Sequence, residues 1–304
     1  MKKVLVVKGG FSSEREVSLV GGAKIAEALR TKGYNVVEHD LINGKAFCEV
    51  LKQEEPDAVF NALHGNWGED GEIQGFLDVL QIPYTHSSMK ASLLGMNKVL
   101  TKEIAQKNNI KTADYEVLTF KEFIERGTRI KIPYVIKPSS DGSSVGVFIV
   151  QSKEDEKKIS YDNQDIELLV EEYIPGREIT VAVIGGRACC VTELKPKTDF
   201  YDYKAKYTNG VTEHVLPADL PEQVSKKAMD YALRIHQVLG CNMVSRSDFR
   251  YNDKDGVVFL EINTNPGMTP LSLVPEQAKY IGISYEDLCA MLVENAKCRK
   301  IGSL

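Results

Sequence analysis

The chain has 304 residues, 43% of them hydrophobic and 27% charged, with a formal net charge of −5. This ordinary globular balance leaves room for about two or three domains and excludes general disorder. A net acidic chain lacks the basic face of a nucleic-acid protein, and apolar runs such as Val4 to Val7 are far too short to cross a bilayer.

Met1-Lys2-Lys3 is similar to a signal-peptide start, but Gly9, Gly10, Glu14 and Arg15 interrupt it before an apolar stretch develops. The expected compartment is therefore the cytoplasm. The six cysteines (Cys48, Cys189, Cys190, Cys241, Cys289 and Cys298) form no C-x-x-C and read as reduced, mostly buried thiols.

In chain order, KVLVVKGG predicts a buried strand, and EREVSLVGGAKIAEALRTKG has helical spacing up to Gly33. YNVVEHD and DAVFNALHG predict two more strands, with the helix GEIQGFLDVL after the second. Strands alternating with helices imply a parallel sheet that binds ligands at the carboxyl ends of its strands. The loops Gly9 to Glu14 and the one after NALHG should line that cleft. Lys98 falls in a helical stretch, NKVLTKEIAQKNN. Beyond it the pattern is α+β: YEVLTF, IPYVIKPSS, GVFIVQS and IELLVEEYI predict strands, with one helix at FKEFIERG. REITVAVIGG and RACCVTEL form a hairpin through Gly185-Gly186. KPKTDFYDYKAKYTNGVTEHVLP has no clear period and reads as a long functional loop such as a lid. The helix PEQVSKKAMDYALRIHQVLG follows, then the strands MVSRSDFRY and GVVFLEINT around a tight turn, and a last helix near Tyr285 to Ala296.

Strict alternation in GVVFLEINT puts Val258, Leu260 and Ile262 on one face and Phe259, Glu261 and Asn263 on the other. Arg246, Asp248 and Arg250 share a face by the same count. If the two strands pair, Asp248, Glu261 and Asn263 converge as hard oxygen donors suited to Mg²⁺. A charged, solvated strand face is the equal alternative on spacing alone. Lys137 ends an otherwise apolar strand. The turn SSDGSSVG after it offers backbone N–H groups for an anion nest, or is a plain hairpin turn. No P-loop G-x-x-x-x-G-K-S/T occurs. Lysine, nest and metal site together point to a nucleoside triphosphate. Glu14, in a first helical turn, would repel phosphate; it suits an ammonium group, or is simply a helix-start acid.

GGFSSEREVSL, NALHGNWGEDGEIQG, MNKVLTK, VIKPSSDGSSVG, FYDYKAKY and LEINTNPGMTPLSLVP occur in the order and spacing of D-alanine–D-alanine ligases. The chain resembles these ATP-grasp enzymes over nearly its whole length. The resemblance implies three parts: an N-terminal Rossmann-like substrate domain over 1–97, a small ATP-grasp lobe over 98–184, and a C-terminal lobe over 185–304 with a lid at 198–214. It implies ATP, Mg²⁺ or Mn²⁺ as two ions, two D-alanine molecules as substrates, and a homodimer; a monovalent-cation activator would fit the type. Lys98 and Lys137 would hold phosphates, with Ser143 and Ser144 in the loop over them and Lys206 swinging in with the lid. Glu171, Glu172 and Ile174 would line the adenine site and Glu178 the ribose. The magnesium roles fall to Asp248, Glu261 and Asn263. Glu14 would hold the first ammonium group beside His64, for which a buried structural histidine is the competing reading. Ser143 and Tyr207 would couple Glu14 to the lid, in which Tyr203 is packing. Arg246 and the N–H of Gly267 would stabilise the oxyanion, and Ser272 with Leu273 would receive the second substrate.

Tyr207 matches ligases that make the dipeptide rather than the D-lactate depsipeptide. Ser245 and Ser247 replace a common Gly and a common apolar residue, on the strand face away from Arg246 and Asp248, where altered packing is expected. Lys8 before Gly9 is a further departure. Another ATP-grasp carboxylate–amine ligase need not keep Glu14 or FYDYKAKY. A non-catalytic nucleotide-binding protein would show losses at Arg246 or the metal ligands. A dinucleotide oxidoreductase lacks its glycine fingerprint.

Overall fold

Val4 to Val7 are fully buried, and the reason is the sheet they build. In the computed structural model, which describes residues 1–140, 142, 146–196 and 212–300, β1 (Lys3–Gly9) lies between β2 (Asn35–Leu41) and β3 (Ala58–Asn61), parallel to both. A parallel strand covered on both faces needs a continuous apolar run. Side chains alternate between two cores. Val4 and Val6 pack with Ile25 and Leu29 of α1 (Arg15–Thr31). Leu5 and Val7 pack with Phe47 and Leu51 of α2 (Gly44–Glu54) and Ile73 and Leu77 of α3 (Glu72–Val79).

After α4 (Met89–Met96) and α5 (Lys98–Lys107), the chain enters a four-stranded antiparallel sheet. Its strands are β4 (Tyr115–Thr119), β5 (Tyr134–Pro138), β6 (Phe148–Val150) and β7 (Glu167–Glu172), in the order β4-β7-β5-β6. It is flanked by α6 (Phe120–Arg126) and the one-turn α7 (Lys153–Glu156). A separate core of Leu118, Phe123, Tyr134, Ile136 and Leu168 holds this unit together. The third sheet contains β8 (Arg177–Ile184), β9 (Arg187–Pro196), β10 (Thr212–Val215), β11 (Val244–Asn252) and β12 (Gly256–Asn263), in the order β10-β9-β8-β11-β12. The long helix α8 (Glu222–Leu239) buries Val224, Ala228, Tyr231, Ala232 and Ile235 against it. The chain ends in α9 (Leu273–Tyr280) and α10 (Tyr285–Glu294). No described helix is long and apolar enough to cross a membrane.

The expected parallel sheet, the Gly185-Gly186 hairpin and the paired β11 and β12 are all present. Five elements go beyond the sequence reading: α2, α4, the one-turn α7, α9 and β10. The α4 segment, MKASLLGM, has apolar residues all round and so little period; Ser88 caps it by accepting from the Ala91 N–H. Pro275 disguises α9, yet it sits in the first turn, where a missing N–H costs no helical bond. Part of the segment read as structureless pairs with β9 as β10.

Strict alternation along β12 also fails, for a physical reason. Asp248 pairs with Glu261, but Phe249 pairs with Phe259, so Leu260 is an extra residue in a bulge. The bulge turns Phe259 away from the Glu261 face and into the core with Phe249 and Ile262. Glu261 and Asn263, beyond it, keep their common face.

Ser245 and Ser247 lie fully buried on the opposite face of β11 from Arg246 and Asp248, as expected. Ser245 Oγ is 2.7 Å from His236 Nδ1, while Ser247 Oγ has no hydrogen-bond partner. Burial pushes the His236 pKa down to about 4. A histidine depressed in the fold takes up its proton more readily when unfolded. Its stabilising contribution is complete above the ordinary value near 6.5 and is lost as pH falls toward 4. Urea titrations between pH 7 and 4.5 should show a loss of up to roughly 3 kcal/mol from this group, and His236→Gln should flatten that part of the slope.

Candidate active site

The carboxyl ends of β1 and β3 bring two loops together. Gly9 N–H donates to Ser18 Oγ, which donates to the Ala62 carbonyl, and Ser12 Oγ donates to the His64 carbonyl 2.6 Å away. Glu14, at the N-cap of α1, is 5% exposed. A Cβ on Gly65 would stand 3.1 Å from Glu14 Oε2, and one on Gly142 would stand 3.4 Å from it. The carboxylate therefore lies between the β3 loop and the glycine of the SSDGSSVG turn. His64 Nδ1 is 3.1 Å from Glu69 Oε1, both groups buried. Burial opposes a charge on His64, yet the hydrogen bond it donates to Glu69 and the charges of Glu69 and Glu14 hold its pKa above the ordinary value.

A second group lies on β11 and β12. Arg246 and Asp248, two residues apart on one face, form a bidentate pair, Nε to Oδ1 at 2.9 Å and Nη2 to Oδ2 at 2.8 Å. Thr180 Oγ1 donates to Asp248 Oδ1 at 2.6 Å. Register sets Asp248 opposite Glu261 and Arg246 opposite Asn263. Asn263 Oδ1 accepts from the Asn265 N–H, and Asn265 reaches the Leu63 carbonyl, tying this strand end to the first cleft. Two carboxylates and an amide oxygen on adjoining strands form a hard donor set that fits Mg²⁺ with substrate phosphates completing its shell.

The lysines arrive from two other elements. Asn97 caps α5, so Lys98 opens that helix instead of lying within it; its Nζ is 3.9 Å from Glu261 Oε2. Lys137 on β5 is 2.5 Å from Glu171 Oε1 on β7. Glu171 adds a contact that the sequence reading missed: its Oε2 is 2.6 Å from Lys102 Nζ, and Lys102 is fully buried. Burial alone would raise the Glu171 carboxyl, but the two lysines hold it at about 2. The available signal was the spacing in NKVLTK, which sets Lys98 and Lys102 one turn apart on one helix face.

Farther along, Glu178 accepts from Arg250 Nη1 at 3.1 Å, and Arg250 Nε also donates to the Ile174 carbonyl. Ile174 is buried with Ala113 and Val258, and Glu172 is exposed at the end of β7. Ser272 stands at the N-cap position of α9 but its side chain turns to Thr269 instead of the helix, with its Oγ 2.8 Å from Thr269 Oγ1 and accepting from the Thr269 N–H. A Cβ on Gly267 would come within 3.2 Å of that Oγ, so Gly267 and Ser272 adjoin. Leu273 is buried beside them. Ser143, Ser144, Tyr203, Lys206 and Tyr207 lie outside the described residues.

A family model described as the D-ala D-ala ligase C-terminus matches residues 104–294, and one described as the N-terminus matches residues 43–87. This chain belongs to the D-alanine–D-alanine ligase family. It is 49% identical to the D-alanine–D-alanine ligase of Zymomonas mobilis over 97% of this chain and 94% of that one. The ligase of a Ruegeria species is 47% identical over 99% and 98%. Among solved structures, the Bacillus anthracis ligase complexed with ATP superposes with a TM-score of 0.82, at 31% identity and 97% coverage of both chains. The VanG D-Ala:D-Ser ligase of Enterococcus faecalis gives 0.81 at 26% identity, covering 96% of this chain and 98% of that one. The expected ATP-grasp fold is thus present in this ligase-family chain.

Gly65 is the glycine of the first cleft packed against both Ser12 and Glu14. Its φ is +67° and a Cβ there would also lie 3.0 Å from Ser12 Cβ. Gly65→Ala should cost roughly 1–2 kcal/mol in a denaturant titration and displace the Glu14 carboxylate.

Proposed function

We propose that this member of the family joins two D-alanine molecules at the expense of ATP, by way of an acyl phosphate. The full-length likeness to named D-alanine–D-alanine ligases carries the reading. A free carboxylate is a poor electrophile. The first D-alanine therefore attacks the terminal phosphorus of ATP through its carboxylate oxygen, and ADP leaves. The amine nitrogen of the second D-alanine then attacks the acyl carbon. The C–N bond forms, the carbon–oxygen bond to phosphate breaks, and the amine gives up a proton. The dipeptide would serve as a peptidoglycan precursor.

Glu14 would hold the ammonium group of the first D-alanine, with His64 beside it. Lys98, Lys137 and Lys206 would bind the phosphates under the Ser143 and Ser144 loop. Glu171, Glu172, Ile174 and Glu178 would take the nucleoside. Ser272 and Leu273 would receive the second D-alanine, and Ser143 and Tyr207 would couple Glu14 to the lid. Asp248, Glu261 and Asn263 would hold magnesium or manganese, which supplies positive charge to the phosphate oxygens. The Arg246 guanidinium and the Gly267 N–H would meet the oxyanion of the tetrahedral intermediate. In Asp248, Arg246 has a fixed anchor, so its charge is aimed before substrate arrives, which is how such stabilisation lowers a barrier. The division into 1–97, 98–184 and 185–304, the homodimer and the cytoplasmic location belong to the same reading.

Phosphate release measured with ATP and Mg²⁺ should depend on D-alanine and not on L-alanine, with the dipeptide identified by mass; separate D-lactate and D-serine reactions test the second site. ATP binding without a D-alanine product would overturn the substrate assignment and leave the fold intact. Arg246→Ala should lower kcat by about 100- to 1000-fold, the usual loss on removing an oxyanion donor.

A further inference from the structure

The carboxylate of Glu171 lies between two lysines, and the two differ in what they can reach. Lys137, two residues beyond Val135, the cross-strand partner of Glu171, faces Glu171 diagonally across β5 and β7. Its side chain is 9% exposed, and the residue is next to last in β5, the strand that leads into the SSDGSSVG turn. Lys102 comes from the buried face of α5, one turn after Lys98; its side chain is 0% exposed and that of Glu171 is 3%. One carboxylate and two ammonium groups therefore meet where almost no water reaches, with Glu261 adding negative charge near both lysines; burial lowers the Lys102 pKa, and the charges of Glu171 and Glu261 work against that lowering.

A buried charge is tolerated only while it is paired. If Lys137 were the sole partner of Glu171, drawing it onto a phosphate would leave the carboxylate uncompensated, and every ATP-binding event would work against that loss. With Lys102 in place, Glu171 keeps one partner whatever Lys137 does. We propose that Lys102 is a positioning residue for nucleotide binding: it is the permanent counter-cation of Glu171 and so frees Lys137 to engage the phosphates of ATP. This rests on the ATP reading above and adds to it a residue outside the expected phosphate and adenine contacts. The low pKa of Glu171, held down by both lysines against burial, agrees with a carboxylate that stays ionised throughout.

The test compares wild type, Lys102→Met, Glu171→Gln and the double variant in the full-length protein. Lys102→Met should raise the KM for ATP at least ten-fold, with kcat at saturating ATP lowered less than three-fold and the KM for D-alanine within two-fold. Adenosine, which carries no phosphate, should bind with its affinity changed less than two-fold in ligand-observed NMR titrations. In the Glu171→Gln background no buried anion needs the lysine, so adding Lys102→Met should change the dissociation constant for ATP by less than three-fold. Should Lys102→Met alone fail to fold while the double variant folds, compensation of Glu171 is again supported, and the double variant still has to match Glu171→Gln. A ten-fold loss of ATP affinity in both backgrounds, an equal loss for adenosine, or no change in Lys102→Met would each overturn the proposal. Wild-type protein that binds no ATP would overturn the functional reading and this proposal together.

Discussion

The cleft is governed by the cost of holding charge out of water. Its cations rest on carboxylates: Arg246 on Asp248, Lys98 near Glu261, and Lys137 with Lys102 on Glu171. Each pairing keeps a poorly solvated group in its charged form and aims it from a defined direction. A polyanionic ligand with its counter-ions can then exchange one set of partners for another without unpaired charge being created on the way. The strands and helices around the cleft can be read as the frame that makes this neutralisation geometrically possible.

The antiparallel pair β11 and β12 contributes most to that frame. Its register sets Asp248 across from Glu261, and the Leu260 bulge separates two tasks along a single strand. Before the bulge, Val257 and Phe259 serve the core under α8; after it, Glu261 and Asn263 face the site. A regular strand would have put Phe259 beside Glu261, where an aromatic ring would compete with metal and phosphate for space. Bulges next to active sites re-aim side chains in this manner.

Much of this was legible in the residues. The continuous apolar run of β1 announces a parallel sheet, and the two-residue period of VSRSDFR and LEIN places Asp248, Glu261 and Asn263 on matching faces of two paired strands. The bulge was not legible, because one inserted residue leaves no mark in composition and its position depends on which pairing buries Phe259 best. Lys102 was hidden for a different reason. A lysine in a helix ordinarily faces water, and only the tertiary placement of α5, packed on β12 with Lys102 turned to Glu171 of β7, makes this one a buried partner of Glu171. Pro275 and the featureless MKASLLGM concealed α9 and α4, since local signals are weakest where tertiary packing decides.

The packing of α10 ties the end of the chain to its beginning. Leu288, Leu292 and Val293 share one core with Val4, Val6 and Ile25, and Ala182 and Val244 of the largest sheet join it. The four-stranded sheet keeps a core of its own. Order of synthesis therefore matters. The face of the first sheet that carries Val4 and Val6 stays incompletely covered until α10 has left the ribosome, whereas the four-stranded sheet has every residue of its core by Val170. Although it precedes the other two sheets along the chain, this sheet is completed after them, and until then its unfinished apolar face is open to aggregation.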